Sequence, residues 1–170
     1  MALAGGCAAK PQEVIVKVPS FYDFTSARGA LHAVADPYDA PDKANYIFDS
    51  SLGHQGFYPI HLIFENFGTE AYSLELATAT LRYADGSRAQ AVALEQLPRS
   101  ARRQPLAAAF GANVLGGRVG PGETRSGFMF FPADPSGGSG REAVSLEVDG
   151  LVEEGTASRF DLAIPLQRPS

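Results

Sequence analysis

The chain has one cysteine and no tryptophan in 170 residues. A single thiol cannot build an intramolecular disulfide framework, so the fold must rest on its own core. No run of eighteen apolar residues occurs, and no membrane-spanning helix is expected. Charge is sparse, at 19% Asp, Glu, Lys and Arg, with a net value of −5. That balance lacks the basic stripe of a nucleic-acid-binding surface, so no nucleic-acid partner is expected. What is present is length and hydrophobicity. With 45% hydrophobic residues, a chain of this size forms one domain that buries roughly 70% of its unfolded surface. It needs no metal staple.

Several chemistries are also missing. There is no G-x-S-x-G nucleophile elbow, and Gly137-Gly138-Ser139-Gly140 has the wrong spacing for one. His32, His54 and His61 form neither an H-x-H nor an H-x-x-x-H pair, the close spacing that zinc sites draw on. A dispersed site using His32 and His61 on paired strands is the alternative. The glycine runs lack the lysine and helix of a phosphate loop. Asp36, Asp39, Asp42 and Asp49 are the densest acidic group. Calcium favours clustered oxygen ligands, so Asp36, Asp39 and Asp42 are the metal candidates. Their spacing is not that of an EF-hand, and turn formation and helix capping explain them more simply. No cofactor and no catalytic residue is assigned.

The one cysteine sits in LAGGCAAK. Leu3-Ala4-Gly5-Gly6-Cys7 has the small residues that a signal peptidase needs before a lipidated cysteine. Cys7 is therefore the lipidation candidate. A secretory leader needs a basic start and about 7–15 apolar residues. Only six residues precede Cys7 and none is basic, so this reading expects a leader upstream of Met1. Residues 1–12 read as a lipobox remnant and flexible tether, and 13–168 as one domain.

Hydrophobic patterning gives the domain its class. β-branched residues make 13–18 (EVIVKV) a first strand, and 30–35 a second. Turn residues over 36–42 lead into a short helix from 41 to 48, with proline in its first turn. Residues 58–67 are the clearest strand. Ile60, Leu62 and Phe64 lie on one face, and His61, Ile63 and Glu65 on the other. Asn66 ends it in a turn whose backbone its side chain can bond. A strand with an internal break follows over 72–83, then a hairpin at Asp85-Gly86 and a returning strand to 94. Residues 106–110 read as a short helix closed by Gly111. The strand at 124–132 holds Phe128-Met129-Phe130-Phe131, the core of a central strand, with Gly127 marking a bulge or a close backbone approach. Strands at 143–148 and 160–166 flank a turn at Asp149-Gly150.

About eight strands, regular hairpin signals and no long helix predict two antiparallel sheets packed face to face. The expected fold is an immunoglobulin-like β-sandwich with short helical insertions. The Cys–Trp–Cys signature of antibody domains is excluded by composition.

An ordered series of motifs runs through the chain: Ala33 to Tyr38, Ile47-Phe48-Asp49, Gly56 to Leu62, Glu65 to Gly68, Gly120 to Glu123 and Ser126 to Pro132. The series resembles a group of bacterial lipoproteins, of uncharacterised activity, that carry an immunoglobulin-like sandwich. The resemblance spans roughly 13–166 and implies the fold, export and a lipid anchor. It carries no reaction. The expectation is a non-catalytic binding or accessory module at the bacterial cell envelope, lipid-anchored and facing the periplasm, with an envelope protein as partner. Contacts would come from the insertion 95–113 and the loops 36–56 and 134–140. Arg99, Arg102 and Arg103 are the partner-binding candidates, toward an anionic lipid or protein, with a solvated face of the insertion as the simpler reading. The alternatives are an envelope hydrolase with a metal or carboxylate site, and a secreted enzyme inhibitor with a protruding loop.

Overall fold

A computed structural model describes residues 14–48, 52–98, 109–133 and 142–167. Within these, ten strands are seen: β1 Thr25–Arg28, β2 Leu31–Pro37, β3 Phe57–Asn66, β4 Tyr72–Ser73, β5 Thr78–Tyr83, β6 Arg88–Gln90, β7 Arg118–Val119, β8 Thr124–Pro132, β9 Ala143–Glu153 and β10 Ser158–Pro165. One α-helix, α1, spans Pro41–Phe48. The first sheet has the order β1-β2-β3-β8. The second is built around the long β9. β10 lies along one side of β9, while β4 and β5 lie end to end along the other, with β7 and β6 outside them. The paired strands run antiparallel, so the chain is an all-β sandwich of two antiparallel sheets. No helix among the described residues is long and apolar enough to cross a membrane.

Period-two alternation places the main core between the sheets. Leu31, Ala33 and Ala35 of β2, Ile60, Leu62 and Phe64 of β3, and Met129 and Phe131 of β8 point inward from the first sheet. They meet Leu81, Leu146, Val148, Phe160 and Ile164 of the second. The outer face of the first sheet is buried as well. Phe128 and Phe130 of β8 pack there beneath Ile47 and Phe48 of α1, with Leu52 and Leu97. Two cores share β3 and β8, which is why the run from Phe128 to Phe131 is apolar at every position. A strand covered on both faces loses its polar alternation.

Several expectations hold. The helix at 41–48 and the strand at 124–132 are found at those bounds. The hairpin at Asp85-Gly86 joins β5 to β6, with Gly86 in the left-handed region at φ 81°. The break in the 72–83 strand falls at a turn where Ala77 N donates to Leu74 O at 3.1 Å.

Other expectations are corrected. Residues 14–18 form no strand, and Ile15, Val16 and Val18 are exposed. β-branched residues favour extended backbone, but a strand also needs a neighbouring edge. Here the Lys17 amide donates to the Tyr22 hydroxyl at 2.9 Å instead. The edge of the sheet is the polar stretch Thr25–Arg28, which pairs with β2. Asp36 and Pro37 belong to β2 rather than to a turn, because they pair with His61 and Ile60. The returning strand stops at Gln90, after which Val92 N crosses to Phe130 O at 2.7 Å. The expected helix at 106–110 lies mostly outside the described residues. Ala109 and Phe110 are not helical; they line up beside β8, with Phe110 N donating to Phe128 O at 3.1 Å. Asp149-Gly150 is a bulge inside β9 rather than a turn. Gly150 sits at φ 83°, and the chain reverses only after Glu153.

Candidate functional site

A cleft of about 480 Å³ opens where β2 and β10 end and β3 begins. Its floor and walls come from Pro37 and Tyr38 after β2, Tyr58 of β3, and Leu166 after β10. The segment from Ile15 to Phe24 forms the outer flank, carrying Lys17, Phe21 and Tyr22 to the rim. Pairing of β2 with β3 sets the inner geometry. Asp36 stands directly across from His61 on the outer face of the sheet. α1 crosses above them and brings in Lys43.

Lys43 is held on three sides. Its Nζ lies 2.5 Å from Asp36 Oδ1, 2.8 Å from the Pro37 carbonyl and 4.3 Å from the centre of the Tyr38 ring. The pair is partly exposed, with a fifth of Asp36 and over a third of Lys43 in solvent. Solvent screening limits its energetic worth, so its effect is to neutralise both charges in place. Burial raises the hydroxyl pKa of Tyr38, and the Asp36 carboxylate adds to that. Burial likewise raises Tyr58, with Asp39 adding. Tyr22 is raised by burial too, against the Lys17 amide bond, which lowers it. All three tyrosines therefore stay neutral and protonated through the physiological range.

His61 lies below this cluster and does not line the cleft. It is 3% exposed. Its ring sits 4.7 Å from that of Phe128, tilted by 30°. Burial pushes its imidazole pKa down to about 4, and Lys43 adds to that effect. Its Nδ1 has no hydrogen-bond partner among the described residues. His32 is four register steps away, opposite Glu65, and packs edge-on against Phe67 at 4.9 Å. At about 3.3 Å per residue the two histidines are more than 10 Å apart along the sheet, so they do not share a metal.

The three aspartates proposed as metal ligands are placed differently from one another. Asp36 is taken by Lys43, Asp39 is exposed at the cleft, and Asp42 is exposed in the first turn of α1. Among the described residues no three His, Cys, Asp or Glu side chains gather closely enough to hold a metal ion. Cys7, Asp49, Arg99, Arg102, Arg103 and the loop 134–140 lie outside the described residues.

A second cavity of about 360 Å³ lies on the second sheet, lined by Arg88, Glu147, Asp149 and Asp161. Glu147 pairs with Arg88 at 3.2 Å and with Arg82 at 3.5 Å. Burial raises the Asp149 pKa, and the nearby Asp161 and Glu147 carboxylates add to it.

Sequence reasoning singled out Asp36 and Asp39 but missed the tyrosines. Tyr22 stood in a link with no pattern of its own, and Tyr58 read as an ordinary strand position. Aromatic residues so far apart in the chain carry no spacing signal when they converge only at the end of a sandwich. Comparison with protein families, curated proteins and solved structures gives no match.

Proposed function

We propose that this chain is a non-catalytic binding module of the immunoglobulin-like sandwich type, held at a bacterial envelope membrane by a lipid on Cys7 and facing the periplasm. The observation that carries the binding reading is the cleft. It joins aromatic faces, protonated hydroxyls and an internally neutralised ion pair at one end of a rigid two-core sandwich. Clefts of about 300–1,000 Å³ with a few convergent polar groups are the usual form of small-ligand sites, and tyrosine supplies both contact area and a polar tip. The Asp36–Lys43 contact engages the two groups with each other, which supports binding over acid–base chemistry at that pair. The immunoglobulin-like assignment is supported by the chain crossing repeatedly between its two sheets, from β3 to β4, β7 to β8 and β8 to β9.

The anchor reading is supported by the Leu3 to Cys7 box. Lipidation at several acyl chains makes membrane attachment stable, where one chain is marginal. The test is the mass of the amino-terminal peptide from protein made in its native host from the full reading frame. A diacylglyceryl adduct on Cys7, absent from Cys7→Ala, is the expected result. An unmodified Cys7 in a chain that begins at Met1 overturns the anchor.

A further inference from the structure

Three features of the cleft narrow what it takes. Its charges are nearly balanced, with the carboxylates of Asp23, Asp36 and Asp39 against the ammonium groups of Lys17 and Lys43, and Asp36 paired directly with Lys43. It holds three of the six tyrosines of the chain. Its side chains, carboxylate, ammonium and phenol, include both acceptors and donors within one space of about 480 Å³.

A strongly charged ligand finds little net field here. A purely apolar ligand leaves buried hydroxyls and the ion pair desolvated without partners, which is costly. The ligand that satisfies the set is neutral overall, with hydroxyl groups that both donate and accept. It also needs C–H faces to lie against the rings of Tyr22 and Tyr58, because the Tyr38 ring is buried and already covered by Lys43. We propose that the cleft binds a neutral saccharide. Asp39 and the hydroxyls of Tyr22 and Tyr58 are its hydrogen-bonding partners, and the rings of Tyr22 and Tyr58 are its platform. This inference rests on the reading of the domain as a binding module and names the ligand class of that same site. Tyr38 already accepts the Lys43 ammonium over its ring at 4.3 Å, so an incoming cation would have to displace a group that Asp36 also holds.

The chain has no tryptophan, so tyrosine emission is the optical signal, and three of its six sources line the cleft; the cleft substitutions assign a response to that site. The full chain is titrated with neutral oligosaccharides built from glucose, mannose, galactose and N-acetylglucosamine, and separately with spermidine. Saturable quenching by at least one oligosaccharide, insensitive to added salt, is expected. Affinity should fall roughly tenfold in Tyr22→Ala and in Asp39→Asn, the loss of one good contact, and should be unchanged in Leu76→Ser, whose exposed side chain is outside the cleft. Circular dichroism confirms that each variant is folded. No response to any of the sugars, or binding that ignores both cleft substitutions, overturns the inference. Salt-sensitive binding of spermidine without sugar binding overturns it in favour of a cation site. The mass of the bound sugar after incubation separates the two readings. An intact sugar supports both. A shortened one leaves the saccharide site standing and overturns the non-catalytic module.

Discussion

Asn66 closes β3 and is fully buried. Its amide Nδ2 donates to Glu70 O at 2.7 Å, to Gly120 O at 3.0 Å and to Val119 O at 3.3 Å. Its Oδ1 accepts from the Gly68 amide at 2.9 Å. One side chain thus satisfies its own turn and the turn before β8 together. Removing it takes a donor from all three carbonyls, although Gly120 O keeps the Glu123 amide at 3.1 Å, and a buried polar group left unpaired costs about 1–3 kcal/mol. Asn66→Ala is expected to lower stability by about 2–4 kcal/mol in urea unfolding. Asn66→Asp keeps the acceptor, loses the donors and should be at least as harmful. A loss below about 0.5 kcal/mol would mean that the two turns hold without it. The bond to its own turn was legible from the residue type. The bonds to Val119 and Gly120 were not, because they span more than fifty residues.

At the scale of the element, β8 depends on a glycine. A Cβ on Gly127 would lie 3.1 Å from both Phe110 Cδ2 and Phe110 N, and 3.2 Å from the Ala109 carbonyl carbon. Two of those three atoms are backbone, so the neighbouring segment has to shift. Gly127→Ala is expected to cost about 1–3 kcal/mol, as overpacking does. Native-state hydrogen exchange locates the damage. The Phe110 amide, bonded to Phe128 O, should lose protection while the β3–β8 ladder keeps it. Equal loss along the whole ladder would show instead that β8 itself has moved. The expected close approach at Gly127 is thus found, with Ala109 and Phe110 as its cause. The segment that approaches was expected to be helical, since alanine-rich stretches read so on propensity alone.

The two cores make the whole molecule sensitive to acid at one point. His61 is buried under α1, beside Phe128 and facing Lys43 and Tyr38. Asp36 stands opposite it across the strand pair. Its pKa is about 4 in the folded chain, against an ordinary value of 6.5. Above pH 6.5 it is neutral in both states, and its full contribution is present. Between 6.5 and 4 the unfolded chain takes up a proton that the folded chain refuses, so stability falls as pH falls. The loss is complete below about 4 and amounts to about 3 kcal/mol. Urea unfolding of wild type and His61→Leu across pH 4–8 checks this. The wild type should lose stability relative to the variant toward pH 4, and a constant difference would refute the assignment.

Local chemistry in the sequence determined the turn at Asp85-Gly86, the helix at 41–48 and the two-faced pattern of β3. It also determined the all-β class. Each of these depends on neighbours a few residues apart, through a left-handed glycine, a first-turn proline or alternation of period two. Tertiary structure alone decided that 25–28 rather than 14–18 forms the edge strand. It alone turned Asp149-Gly150 into a bulge within β9, buried His61 on an outward face, and brought Tyr22, Tyr38 and Tyr58 to one cleft. Strand pairing and the covering of a sheet face are contacts between distant segments. Their free energy depends on which surface is left to bury, and a local window of residues does not contain that surface.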